Sequence, residues 1–153
     1  MAVGSAMVVG HKQATIADHQ NEILRRQGSL QELSIKVALF EQRFAAYEAT
    51  RKFLAEILQH DDEPSQNTRS QFEKAKKESA FLFEPRVRDI LQAIWAAEGR
   101  LNAHLSLIKR ADLQNEPISE TLLDQKKRER DLLDARLSSL AEDFGDDLKL
   151  RQP

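Results

Sequence analysis

Histidine and carboxylate side chains at ligating distance are the first chemistry to look for in this chain, and they cluster once. His60, Asp61, Asp62 and Glu63 stand in a row. An imidazole beside three carboxylates offers nitrogen and oxygen donors to a divalent metal, so a metal-dependent enzyme centred on His60 is one reading. The plainer reading is a solvated turn. There His60 favours the end of one helix and the acids precede the next. His11 and His19 lie eight apart, too far for the i, i+4 pair that holds zinc on a helix. Glu98 and His104 are six apart and do not share a helical face.

Other chemistries lack their residues. No G-x-x-x-x-G-K-[ST] or G-x-G-x-x-G loop is present to cradle phosphate. No G-x-S-x-G turn presents a serine nucleophile. With no cysteine there is no thiolate ligand, thiol nucleophile or disulfide framework. No catalytic residue and no cofactor is therefore assigned, and a non-enzymatic role is expected.

Two basic runs are present, Lys74-Lys76-Lys77, flanked by Glu73 and Glu78, and Lys126-Lys127-Arg128-Arg130, interrupted by Glu129. The simple reading is an exposed helix face. The functional alternative is a peripheral module in which the 126–130 run meets anionic lipid or nucleic acid. Each cation near an anionic membrane surface is worth about 1 kcal/mol. A net charge of −2 and the lack of an aromatic stacking platform argue against nucleic acid.

These residues must be positioned by helices. Twenty Leu and eighteen Ala stand against five Val and one Tyr, a balance that favours helix over sheet. Charged residues make up 31% and hydrophobic ones 41%, which excludes a disordered chain and a polytopic membrane protein.

The strongest periodic signal is Leu30, Leu33, Val37, Phe40, Phe44, Tyr47, Leu54 and Leu58, in steps of three and four with Arg51 filling one slot. Leu39, Phe53 and Ile57 broaden the stripe, which suits a bundle better than a two-stranded seam. This face is the expected interaction seam. Ser29 and Glu32 have capping-box spacing. Gly28 either closes a preceding helix over 12–27 or is passed through.

Pro64 ends the long helix. A second helix is expected over about 65–82, though Ser70 and Glu73 would also fit a later start. Pro85 reads as the first position of a third helix running to about 110, and Pro117 as the same for a fourth reaching Phe144. Gly99, inside the third helix, suggests a close helix–helix approach. Gly145 is a candidate C-terminal cap, with Leu148 and Leu150 folding back. Arg43, Arg51, Arg86 and Arg88 are expected to lay their stems on apolar surface or to pair with Glu41, Glu48 and Glu84. Tyr47 and Trp95 read as core aromatics with a polar edge.

The first ten residues, MAVGSAMVVG, would reach only about 15 Å as a helix, half of what a bilayer core requires. They read either as a frayed terminus or as the last third of a membrane helix. His11, Lys12, Arg25 and Arg26 would then favour a cytoplasmic body. The domain reading is thus an N-terminal segment, 1–28, followed by a helical bundle over 29–150.

The stretch VALFEQRFAAYEATRKFLAEIL (37–58) resembles the "LFDRR…VYEA…FL" opening of a loose group of small bacterial helical proteins. FEKAKKESAFLFEPRVRDIL (72–91) is similar to that group's "FLF" centre, and DFGDDLKL (143–150) to its "F…YL" ending. The resemblance covers about residues 35–150. It implies an N-terminal membrane helix ahead of a polar helical stretch, and it carries over no catalytic residues. This chain begins too late to contain the whole span.

The expectation is an all-α antiparallel bundle of three to four helices, one of them long. Its role would be a non-enzymatic interaction or scaffold module that associates with itself or another helical protein. Its expected place is the cytoplasm, with tethering to the inner face of the cytoplasmic membrane as the further option.

Overall fold

The computed structural model describes residues 3–60 and 62–149, the first seven of them by backbone alone. The fold is all-α, with four helices among the described residues. They are α1 (Val3–His60), α2 (Gln66–Leu82), α3 (Pro85–Leu113) and α4 (Glu120–Asp143). The chain divides into two compact units, with the boundary between Ala38 and Leu39, ten residues later than the 28/29 boundary expected from sequence.

Helix α1 is continuous through Gly28, so no separate 12–27 helix exists. The Ser29–Glu32 spacing lies inside that helix and caps nothing. A lone glycine costs about 1 kcal/mol in a helix interior, too little to stop a helix with good formers on both sides.

In the first unit the described side chains, from Gly10 on, are almost all exposed. No described helix is long and apolar enough to cross a membrane. Residues 1 and 2 of the apolar first ten, read as a frayed terminus or as a membrane-helix remnant, lie outside the described residues.

The second unit holds the core. From α1 it takes Ala46, Ala49, Phe53, Leu54 and Ile57, and from α2 it takes Phe72, Ala75 and Leu82. Helix α3 adds Val87, Ile90, Leu91, Ile94, Ala97 and Leu101. Leu133 and Leu140 come from α4, joined by Phe144 just past its end. At its centre the rings of Phe53 and Phe72 stack at 4.1 Å between centroids, with Trp95 at 6.5 and 6.1 Å. A second aromatic set closes the far end. There the Phe144 ring meets Tyr47 at 5.6 Å and Phe83 at 5.1 Å, both edge-on.

Helix ends follow local chemistry with one correction. Ser65 caps α2, its hydroxyl accepting from the Thr68 N–H, so the Ser70–Glu73 spacing is again internal. Pro85 opens α3 as expected. Helix α4 starts at Glu120, not at Pro117. Ser119 is its cap, accepting from the Leu122 N–H at 3.3 Å. A cap hydroxyl satisfies an orphan donor of the first turn, which a proline at the first position does not. Ahead of it, Asn115 takes a left-handed φ of 51° and turns the chain after α3. Gly145 follows the end of α4 without positive φ. Leu148 folds back against the core, while Leu150 lies outside the described residues.

Gly99 does not mark a close approach. A Cβ built there meets nothing within 4 Å. Gly99→Ala is therefore expected to stabilise the protein by about 0.5–1 kcal/mol through helix propensity, read as a rise in the urea midpoint.

Two arginines serve helix C-termini, where four carbonyls lack intrahelical partners. Arg130 of α4 donates to the Leu58 carbonyl at 2.6 Å, and Arg43 of α1 donates through Nε to the Leu82 carbonyl at 2.7 Å. Arg43 thus leaves Glu41 for a backbone partner. Arg86 pairs with Asp143 at 3.2 Å and not with Glu84. Arg51 does pair with Glu48, at 3.0 Å. That hydrogen bond holds the Glu48 carboxyl below the usual range and the Arg51 guanidinium above its own.

Candidate interaction surface

The metal reading at His60, the weaker of the two sequence alternatives, finds no support among the described residues. No group of three metal-capable side chains occurs among the described residues, and Asp61 lies outside them. Asp62 turns to the Glu63 backbone N–H at 2.9 Å and to Lys109 at 3.7 Å.

The acid that organises this turn is Glu56, which sequence reasoning did not single out. It accepts from Thr68 Oγ1 at 2.7 Å and from the Ser65 backbone N–H at 2.9 Å. Those bonds clip the start of α2 to the end of α1. The hydroxyl and then the amide hold the Glu56 carboxyl below its ordinary value. A carboxyl lowered in the folded state stabilises fully above its unfolded pKa, and that contribution is lost as pH falls through the folded one. Glu56→Gln is accordingly expected to lower the melting temperature at about pH 7. The gap to the parent should close as pH falls through the lowered pKa of the folded carboxyl, where the parent's own side chain is protonated.

The basic run at 126–130 does not present four cations to solvent. Arg130 is half-buried and bonded to Leu58, and Lys126 is half-buried. Glu129 forms a two-pronged pair with Arg100 at 2.7 and 3.1 Å, which raises the Arg100 pKa. Lys127 and Arg128 remain exposed.

Among the described residues one charge is deeply buried. Glu98 on α3 is 2% exposed, paired with Arg69 of α2, and accepts from Asn102 Nδ2 at 2.6 Å. Arg69 and Lys76 lie over the Trp95 ring, 5.5 and 4.2 Å from its centroid. A buried acid with both partners in hand resembles a reactive site only in composition. No buried side-chain polar atom among the described residues lacks a hydrogen bond. The arrangement locks α2 to α3.

Between α1 and α2 runs an open groove of about 380 Å³. Ala45, Ala46, Ala49 and Ala75 floor it, and its rim carries the Lys74–Glu78 pair and the paired Glu48. Lys74 pairs with Glu78 and Glu48 with Arg51, and Lys52 also lines the rim.

The expected seam on α1 splits in two. Leu54 is buried, and Phe40, Tyr47 and Leu58 are half-buried. Leu30, Leu33, Val37 and Phe44 are 66%, 56%, 39% and 46% exposed, and Ile16 and Ile23 are exposed as well. The stripe therefore does not serve one bundle along its whole length.

The chain matches no family model, no curated protein and no solved structure. The surface itself must carry the functional reading.

Exposed side chains such as these, in a row on one helix, have one general chemical capacity. They lose water-contacting apolar area when another apolar face covers them, at about 25 cal/mol per Å².

Proposed function

We propose that the protein is a non-enzymatic interaction module that works by helix-on-helix contact, with the exposed apolar row of α1 as its contact surface. The observation that carries this reading is the solvent exposure of Ile16, Ile23, Leu30 and Leu33. A helix whose apolar stripe finds no cover in its own chain gains stability from a second apolar helix. The likeness of residues 37–58 and 72–91 to small bacterial helical proteins with a membrane helix supports a location at the inner face of the cytoplasmic membrane. Such a location would concentrate contacts between neighbouring copies.

The test is light scattering over a concentration series on the full chain and on Leu30→Lys/Leu33→Lys. Both side chains are exposed, so the double variant is expected to unfold within about 0.5 kcal/mol of the parent. The parent is expected to gain mass with concentration and the variant to stay monomeric. A parent that remains a strict monomer at several hundred micromolar (roughly the range where weak contacts populate) contradicts this reading.

A further inference from the structure

The exposed row has a spacing that says more than amphipathicity. Ile16, Ile23, Leu30 and Val37 are seven residues apart, and Leu33 falls three after Leu30. In heptad terms the first four are a positions and Leu33 is a d position. A straight α-helix drifts about 20° per heptad away from a strict seven-residue row. Such a row stays on one line only if the helix supercoils left-handedly around another helix.

We infer that this row docks on a second copy of the chain as a parallel, in-register two-stranded coiled coil. The inference rests on the contact reading above and names its partner and geometry. Three features select that occupant. β-Branched Ile or Val at a with Leu at d favours two strands in parallel. Three of the four a residues, Ile16, Ile23 and Val37, fit that rule, with Leu30 the exception, and Leu33 is the leucine at d.

The flanking charges agree as well. In a parallel pair, each g position faces the e position of the following heptad on the other copy. Glu22 then faces Gln27, Ser29 faces Ser34, and Lys36 faces Glu41, so among these flanking pairs no like charges meet and one opposite pair forms twice, while Arg26 at d meets its own copy across the seam. Lys36 bonds Glu32 within its own helix at 2.9 Å, and Glu41 is exposed. Finally, the polar d residues fall in the amino-terminal half, at His19 and Arg26. The Arg26 charge is already met by Glu22 of its own helix at 2.7 Å. Parallel register stacks these polar layers on their own kind. An antiparallel register would set them against apolar layers such as Val37.

The absence of cysteine makes the geometry directly readable, because an introduced thiol can pair only with the same thiol in another copy. In the full chain, Ile16→Cys and Val37→Cys under mild oxidation are each expected to form a disulfide-linked dimer. Ile35→Cys, exposed but at the f position, should stay monomeric. Lys36→Glu is expected to weaken dimerisation about tenfold, and Lys36→Glu/Glu41→Lys to recover to within about twofold. Concentration-dependent mass without cross-linking at both Ile16 and Val37 would overturn the parallel pairing and leave the contact reading standing. Cross-linking at Ile35 equal to that at Val37 would do the same. A strict monomer would overturn both.

Discussion

Replacing Phe53 by alanine is expected to cost about 3–5 kcal/mol of folding stability. The ring is fully buried, stacked on Phe72 at 4.1 Å and close to Trp95 at 6.5 Å. Truncation removes the transfer free energy of a buried aromatic side chain. It also leaves a cavity between α1 and α2 that surrounding helices fill only in part. That loss is a large share of the roughly 5–15 kcal/mol available to a domain. Trp95 is the single tryptophan and sits in this cluster, so its fluorescence reports unfolding of the 39–149 unit. The urea midpoint should fall sharply for Phe53→Ala. It should move little for Leu107→Ala, where a 52% exposed side chain is lost from α3. Equal shifts for the two would mean that the core is not organised around the stacked rings.

The second large effect concerns the buried charge. Arg69→Met is expected to cost about 3 kcal/mol, because it leaves the Glu98 carboxylate buried with only Asn102 in contact. Arg69 is itself about a quarter exposed, which places the cost at the lower end for buried pairs. Arg69→Met/Glu98→Met removes both charges together. It should recover most of the loss, since a well-packed apolar pair often replaces a buried ion pair without penalty. The comparison is a double-mutant cycle of urea unfolding followed at Trp95. If the double variant is as damaged as the sum of the singles, the two side chains act independently and the lock between α2 and α3 lies elsewhere.

The helices were legible in the sequence where the signal is covalent or local. Pro64 and Pro85 punctuate the chain by geometry alone, and the second and third helices begin within a residue of their expected positions. The apolar stripe beyond Tyr47 does become core, at Phe53, Leu54 and Ile57. Local patterns misled where several could serve equally. Pro117, Ser29 and Ser70 all look like helix starts and none is one, while Ser119, which sequence reasoning did not single out, caps α4. Gly99 reads as a packing glycine because glycine in a helix suggests a reason, and its surroundings supply none.

The partners of single charges were not legible at all. Arg69 and Glu98 lie 29 residues apart, and Arg130 and Leu58 lie 72 apart. No periodicity encodes such pairings, which exist only once the helices have packed. The exposed row was visible as a stripe, but the sequence does not mark where its cover by the chain's own core stops. Its separation into exposed residues near Leu30 and buried ones near Leu54 is a property of the fold.

The most direct test of the contact surface is hydrogen exchange in the full chain at low and high protein concentration, about 10 and about 500 micromolar. Amides over 16–37 are expected to exchange rapidly when dilute and to become protected as concentration rises. Amides over 49–57 should be protected at both concentrations, because they lie beside Phe53 and Leu54 in the core. Exchange over 16–37 that is the same at both concentrations would contradict the account.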